Sequence, residues 1–188
     1  EATAGGAGKW AVRSSAFDED GRRSFAGQQT TLLNVTGIDA LIDAVREVWA
    51  SLYDPSALMY RARLALDGLP GSMAVVVQKM VTPRVAGVVF SRNPVALELP
   101  ELVVSATPGL GTTVVDGEAC DTYYLERPSG YLLRSDLVES GSLTLPELEK
   151  LANLALRTEG LLASDGAIPG ADVEWAMIGD MIYVLQAR

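Results

Sequence analysis

The segment with the clearest potential for chemistry is residues 172–188, DVEWAMIGDMIYVLQAR. Two runs rich in Val, Ile, Trp and Tyr flank a central Gly-Asp pair, which is typical of a β-hairpin. Side chains two apart in a strand share a face, so each strand carries one polar pair: Asp172 with Glu174, and Gln186 with Arg188. Carboxylate and amide oxygens ligate Mg²⁺, and arginine clamps phosphate oxygens with its planar fork. The pattern therefore suits a divalent cation held against a polyphosphate.

Whether the two polar pairs meet depends on the turn of this hairpin. A two-residue turn alone would place Glu174 opposite Leu185, with the polar pairs on opposite faces. A three-residue loop or a β-bulge would place Glu174 opposite Gln186. We predict the three-residue loop or the bulge, because only then do the carboxylates, the amide and the guanidinium converge. From spacing alone, an exposed hairpin face with an ordinary ion pair is an equal alternative.

The composition bounds the class of protein. The chain has 188 residues, of which 48% are hydrophobic, enough for one compact domain or two small lobes. The net charge of -9 gives no electrostatic footprint for nucleic acid or an anionic membrane, so neither is an expected partner. The single cysteine, Cys120, excludes an internal disulfide and fits a reducing cytosol, so a cytoplasmic location is expected. The absence of histidine excludes a Ser-His-Asp or Cys-His nucleophile and any phosphohistidine within the chain.

Apolar periodicity and turn residues predict an α+β fold whose adjacent strands are mostly antiparallel. The predicted strands are 9–15, 30–35, 72–81, 84–93, 101–111 running into a Gly-rich turn, 120–127 and 131–137, followed by the hairpin 172–188. Helices are predicted over 37–53 capped by Thr36, over 54–66 capped by Asp54, and from Thr144 with Glu147 as its capping partner. The apolar stripe of the first helix, from Ile38 to Leu52, is predicted to face the core. The strands at 72–81 and 84–93 are apolar enough to be predicted as buried.

Further candidates lie near the start of the chain. Arg13 stands at the exit of the first predicted strand. The loop 16–30 after it combines small residues with both signs of charge, and such segments commonly bind ligands through backbone amides. An ordinary surface loop is the equal alternative. Residues 1–8 are small and flexible, which is typical of a linker.

Five motifs, taken in order, carry a family resemblance. They are AVRSSAFDEDGRRSFAGQQTTLLNV (11–35), VVVQKMV (75–81), AGVVFSRNP (86–94), PGLGTTVVDGEACDTYYLER (108–127) and the terminal hairpin. Together they resemble the nucleotide-binding domain of the phosphoenolpyruvate synthase and pyruvate phosphate dikinase family, which includes rifampicin phosphotransferase. The SFAGQQ stretch is more similar to phosphoenolpyruvate synthases and rifampicin phosphotransferases than to pyruvate phosphate dikinase.

The resemblance implies an ATP-grasp fold over residues 9–188, in which two α+β lobes hold Mg-ATP. In this family the domain passes the β-phosphate of ATP to a histidine on a swivelling domain, and that domain phosphorylates the substrate of a third domain. Both are expected as partners, on the same longer polypeptide or on another chain. The family's ATP-binding lysine lies in an N-terminal segment that this sequence does not contain. The resemblance therefore implies a partial ATP-grasp domain that, in isolation, binds ATP poorly and is inactive.

The resemblance also assigns roles to the N-terminal motifs. Arg13 is expected to contact the transferring phosphates and to act in catalysis. Gly27 and Thr31 belong to a loop that closes over the triphosphate, where a missing Cβ lets the backbone approach the anion. Gln78 lies on the strand that borders the adenine. Arg92 has two equal readings, a structural ion pair or a phosphate contact.

The terminal hairpin receives the remaining roles. Glu174 and Gln186 are expected to hold Mg²⁺, with Asp172 assisting. Arg188 is expected to stabilise charge on the transferring phosphoryl group and to act in catalysis. The resemblance thus places Arg13 close to Glu174 around one Mg-ATP, with ATP as substrate.

Three functions follow from these expectations. The leading one is the ATP-binding part of a phosphoenolpyruvate synthase, which converts ATP, pyruvate and water to AMP, phosphoenolpyruvate and phosphate. Rifampicin phosphotransferase is the alternative within the same enzyme class. A non-catalytic nucleotide-sensing or scaffold module is the third, and it predicts loss of the phosphate and metal residues, all of which are present.

Overall fold

A computed structural model describes residues 8–16, 30–55, 57–59, 73–115, 117–138, 141–163 and 170–188. The chain divides into two compact units, Glu1–Met80 and Val81–Arg188. Each unit contains an antiparallel sheet and helices, so the predicted α+β class is confirmed. The linker predicted at 1–8 lies almost wholly outside the described residues. Within the described ranges, no helix has both the length and the apolar character needed to cross a membrane.

In its described residues, the first unit is a three-stranded sheet with one long helix, and residues 55 and 57–59 are also helical, within the second predicted helix. Its elements are β1 (Trp10–Ala16), β2 (Thr31–Val35), α1 (Ile38–Ala50), a 3₁₀ turn (Ser51–Tyr53) and β3 (Met73–Lys79). The strand order is β2-β1-β3, with both neighbours antiparallel to β1. Val12 on β1 packs with Ala44 and Val48 of α1 in the core. The helix therefore covers the sheet face that carries Val12.

The second unit is a six-stranded antiparallel sheet in the order β7-β6-β5-β4-β8-β9. Its strands are β4 (Val85–Phe90), β5 (Glu101–Pro108), β6 (Asp121–Glu126), β7 (Leu132–Asp136), β8 (Asp172–Ile178) and β9 (Met181–Ala187). Its helices are α2 (Thr112–Val115) and α3 (Leu145–Leu162). The core lies between one sheet face and α3, where Trp175, Leu102 and Leu125 meet Leu148 and Leu151.

The start of α3 follows the sequence prediction. Thr144 is the N-cap, and the side chain of Glu147 accepts a hydrogen bond from the Thr144 backbone N–H at 2.8 Å. Arg84 adds an ion pair to the same carboxylate, at 2.5 Å. Burial by itself raises the pKa of Glu147, but the Thr144 and Arg84 hydrogen bonds outweigh it, so the pKa lies below its ordinary value.

Two predictions for the first unit need correction. The N-cap of α1 is Gly37 and not Thr36, and no side chain caps the helix. The predicted buried stripe is also too wide, since Ile38 is 67% exposed and Trp49 is 50% exposed. Only side chains at the centre of the contact between helix and sheet, such as Val48, are buried. The edge strand β3, predicted as buried, has four of its seven residues exposed, because α1 covers only one face of the sheet.

A buried carboxylate ties α3 to the end of β4. Glu159 is 9% exposed and forms ion pairs with Arg92 at 3.1 Å and Arg127 at 2.8 Å. Burial raises the pKa of Glu159, but hydrogen bonds from Arg127 and Arg92 outweigh that effect and hold the pKa below its ordinary value. The carboxylate is therefore charged at neutral pH and stabilises the fold.

We expect Glu159→Gln to lower the free energy of unfolding by about 1–3 kcal/mol at neutral pH, because two arginines lose their carboxylate. The pKa of Glu159 is lower in the folded than in the unfolded chain. The stabilisation by Glu159 is thus complete at pH values above the ordinary glutamate pKa of 4.5, and it is lost as the pH falls through the pKa of the folded chain. Urea unfolding at neutral and at acidic pH should show the two proteins converging in acid.

Glu149→Gln is the matched control, because Glu149 occupies an exposed position of the same helix. It should change the free energy of unfolding by less than about 0.5 kcal/mol. Equal losses in both variants would show that the ion pairs of Glu159 carry no specific stabilisation.

Candidate functional site

The hairpin of β8 and β9 has the register that the polar pairs require. Its turn is the two-residue Gly179-Asp180, since Ile178 lies opposite Met181. A β-bulge then shifts the pairing between Glu174 and Trp175. As a result Glu174 lies opposite Gln186, with Leu185 as the extra residue. The predicted bulge and the convergence of the polar residues are confirmed.

Asp172 and Arg188 form the other end of this polar set. Their backbones exchange two hydrogen bonds, from Asp172 N–H to the Arg188 carbonyl at 2.7 Å and in return at 2.9 Å. The Nε of Arg188 donates to Oδ2 of Asp172 at 3.1 Å. The four polar side chains near the open end of the hairpin are therefore on one face: Asp172, Glu174, Gln186 and Arg188.

This face is the one that turns away from α3. Val173, Trp175 and Met177 alternate with the carboxylates along β8, and all three belong to the core under α3. Continuing from Glu174 across the sheet, the directly opposed residues are Val88 on β4 and Ser105 on β5. Neighbouring strands lie about 4.8 Å apart, so Ser105 is roughly 10 Å from Glu174. We call the sheet face that carries Glu174 the polar face.

The Gly-rich turn after β5, residues 109–111, lies near one end of the polar face. A Cβ built on Gly111 would lie 3.4 Å from the Cβ of Ala86, which shows how near this turn comes to β4. Ala86 lies opposite Ala176, two residues along β8 from Glu174. Ala86 and Ala176 are both 1% exposed. Glu174 thus lies next to the buried apolar residues Ala86 and Ala176, and its own side chain is half-buried.

The first unit brings three predicted residues together on its own sheet. Arg13 on β1 lies directly opposite Thr31 on β2. Gln78 on β3 lies opposite Ala11, two residues before Arg13, so it shares the face of Arg13. Successive side chains alternate, so this is the face opposite Val12 and α1. Its character is mixed, with Arg13 and Gln78 partly exposed and Thr31 exposed.

The other predicted site residues have separate outcomes. Gly27 and most of the loop 16–30 lie outside the described residues. Arg92 forms the ion pair with Glu159, which is the structural alternative of its two readings. Among the residues that the structure describes, no group of three or more His, Cys, Asp or Glu side chains could hold a metal ion. Metal binding by Asp172, Glu174 and Gln186 stays a prediction, as do the roles of Arg13 and Arg188.

The sequence prediction missed the residues that fix the start of β8. Ser91, just after β4, donates its backbone N–H to the Ala171 carbonyl at 2.8 Å. Its hydroxyl accepts from the Ala171 N–H at 2.7 Å, and its carbonyl accepts from Arg127 at 2.8 Å. A signal was present, since Glu159 continues the apolar spacing of Leu148 and Ala155 on α3. A carboxylate on a buried stripe requires a cationic partner.

Known proteins resemble this chain over most of its length. A probable phosphoenolpyruvate synthase from Archaeoglobus fulgidus is 37% identical over 203 residues, covering 95% of this chain and 26% of that protein. The rifampicin phosphotransferase of Bacillus subtilis is 31% identical, covering 95% of this chain and 23% of that protein. Phosphoenolpyruvate synthase of Pyrococcus furiosus is 45% identical over 119 residues, covering 62% of this chain and 15% of that protein. The chain thus spans roughly a quarter or less of the length of these relatives.

The sequence resemblance is confirmed by a match to a described family. Residues 1–140 match the pyruvate phosphate dikinase AMP/ATP-binding domain. This range contains Arg13, Thr31 and Gln78, and the relatives extend the similarity over nearly all of the chain. The chain belongs to the pyruvate phosphate dikinase AMP/ATP-binding domain family.

Proposed function

We propose that the chain is the ATP-binding part of a dikinase-type phosphotransferase, which passes the β-phosphate of ATP to a histidine on another domain. The observation that carries the proposal is the β8–β9 register, which places Glu174 opposite Gln186 and Asp172 opposite Arg188 on one sheet face. The proposed metal ligands and the proposed phosphate-binding arginine thereby share one short hairpin. The absence of histidine from the chain agrees with an acceptor that lies elsewhere.

The donor set fits Mg²⁺. Magnesium takes hard oxygen ligands and usually binds proteins through one or two carboxylates, with phosphates of the substrate completing its shell. Glu174 and Gln186 offer a carboxylate and an amide oxygen directly opposite each other. When bound, Mg²⁺ neutralises charge on the phosphates. These two residues would hold it, beside Asp172.

Phosphoryl transfer requires mainly positioning and charge neutralisation from a protein. We assign Arg188 to the transferring phosphoryl group, and Arg13, on the sheet of the first unit, would contact phosphates of the same nucleotide. Thr31 and Gly27 would contribute to the loop over the triphosphate, and Gln78 to the strand beside the adenine. These assignments imply an ATP-grasp fold.

Phosphoenolpyruvate synthase is the proposed activity of the longer protein, with pyruvate and water as the other substrates. The support is that several relatives carry that name, including those from Archaeoglobus and Pyrococcus. Rifampicin phosphotransferase is the second candidate, favoured by the Bacillus relative, which is similar over the same share of this chain. The acceptor domains decide between them. A non-catalytic nucleotide-sensing module ranks below both, because the hairpin retains its complete polar set.

We expect the natural full-length polypeptide containing this chain to bind Mg-ATP with an affinity that Arg13→Ala or Glu174→Ala weakens by about tenfold or more, since each removes a charged ligand contact. Isothermal titration with Mg-ATP measures the effect. Arg46→Ala and Glu149→Ala are matched controls at exposed helix positions and should leave affinity unchanged. Unchanged affinity in both site variants would contradict the site assignment.

A second experiment tests the reaction itself. Radiolabel from the β-phosphate of ATP, and not from the γ-phosphate, should appear on a histidine of the full-length protein. Assays with pyruvate and with rifampicin as acceptors then separate the two candidate activities. A protein that binds Mg-ATP but labels no histidine would support the nucleotide-sensing alternative.

A further inference from the structure

The carboxylate of Asp172 is engaged by an arginine of the same site. Nε of Arg188 donates to Oδ2 of Asp172 at 3.1 Å, and the two residues also exchange both backbone hydrogen bonds. The side chain of Arg188 is 36% exposed and that of Asp172 is 26% exposed, so both are partly shielded from water. A charge-assisted hydrogen bond through Nε fixes the plane and direction of a guanidinium group.

This contact distinguishes Asp172 from Glu174 and Gln186, the next pair along the hairpin. Glu174 and Gln186 lie opposite each other two residues further in, on the same face. An oxygen that accepts from a guanidinium is a poor ligand for a dication, because the two cations repel each other and compete for the same lone pairs. The contact with Arg188 therefore makes Asp172 a poor candidate for a metal ligand.

We infer that Asp172 is a positioning residue, which orients the guanidinium of Arg188 towards the transferring phosphoryl group and is not needed to hold the metal. This inference rests on the proposed function, because it assigns Arg188 to the phosphate. Nη1 and Nη2 lie at the far end of the guanidinium from its stem, so a contact at Nε sets the direction in which they point. Preorganised charge of this kind lowers the barrier without reorganisation during the reaction.

The protein also fixes Asp172 itself. The residue before it, Ala171, is bound through both its N–H and its carbonyl to Ser91. Ser91 is fully buried, and its carbonyl accepts from Arg127, which Glu159 anchors. Three elements, the end of β4, α3 and the β6–β7 turn, thus fix the backbone at the start of β8, one residue before Asp172. A rigid anchor is what an arginine-orienting residue requires.

The test compares Asp172→Ala, Asp172→Asn, Arg188→Ala and Asp172→Ala/Arg188→Ala in the full-length polypeptide. We expect Asp172→Ala to lower the rate of histidine phosphorylation by about tenfold or more, and Asp172→Asn to recover most of that loss, since its amide oxygen still accepts from Nε. In the Arg188→Ala background, Asp172→Ala should change the rate by less than about twofold, because a residue acting through Arg188 has nothing left to orient.

A binding measurement separates this role from metal coordination. Mn²⁺ replaces Mg²⁺ as the probe, and electron paramagnetic resonance measures its affinity in the presence of a non-hydrolysable ATP analogue. Asp172→Ala should change the Mn²⁺ dissociation constant by less than about twofold, whereas Glu174→Gln should raise it by about tenfold or more. A rise in both variants, or multiplicative rate losses in the double variant, would overturn the positioning role and leave the proposed function intact. No change with Glu174→Gln would instead contradict the proposed metal site.

Discussion

Replacing Arg188 with alanine in the full-length polypeptide is expected to lower phosphorylation of the acceptor histidine by about a hundredfold or more, the usual loss when a charge-stabilising group is removed. The backbone pairing of residue 188 with Asp172 does not depend on the side chain, so the hairpin should remain folded. Arg188→Lys keeps the charge but loses the planar fork, and it should recover only part of the rate. Single-turnover labelling from the β-phosphate measures both variants.

The control for this prediction is Arg46→Ala. Arg46 lies on α1, its side chain is 72% exposed, and it pairs with Asp43 one turn away. Its loss should leave the rate of labelling unchanged and the free energy of unfolding within about 0.5 kcal/mol. Equal rates in the wild-type protein and in Arg188→Ala would remove Arg188 from the mechanism, whatever the binding of ATP.

The terminal hairpin shows how far the sequence can predict a site. Alternation in strands is a strict period, so the choice of partner for Glu174 reduces to one question of parity. The sequence reduced the problem to that choice, but it could not determine whether a three-residue loop or a β-bulge brings Glu174 opposite Gln186. The structure keeps the short turn at Gly179, whose φ is +54°, and places the extra residue in the strand as a bulge. The convergence of the four polar residues was thus predictable, whereas the bulge that produces it was not.

Features that depend on tertiary coverage were beyond the sequence. The apolar stripe of α1 is real, but which of its residues become buried depends on what packs against the helix. Thr36 was a reasonable cap by type, although the helix begins after Gly37. Similarly, the position of Glu159 on the apolar stripe of α3 was visible in the sequence, but its partners Arg92 and Arg127, distant along the chain, were not. Local patterns specify elements, and long-range contacts specify which faces are covered.

The largest effect on stability is expected from Gly87→Ala, in the centre of β4. A Cβ at this position would lie 1.9 Å from the carbonyl oxygen of Ser105 and 3.0 Å from the Cα of Ala106. Both atoms belong to the backbone of β5, which cannot rotate away as a side chain can. We expect a loss of about 3 kcal/mol or more, a large part of the stability of a typical domain.

This loss should also reach the polar face, because β4 joins β5 to β8 in the sheet order. Gly87 lies opposite Trp175, the residue after Glu174, so separating β4 from β5 displaces the strand that carries the carboxylates. The free energy of unfolding, measured in urea, and the affinity for Mn²⁺ should therefore both fall. The matched control is Gly160→Ala on α3, where a Cβ meets nothing within 4 Å and alanine favours the helix by about 0.5–1 kcal/mol. If Gly87→Ala were as stable as Gly160→Ala, the close approach of β4 and β5 would be wrong, and the position of Glu174 on the sheet would need revision.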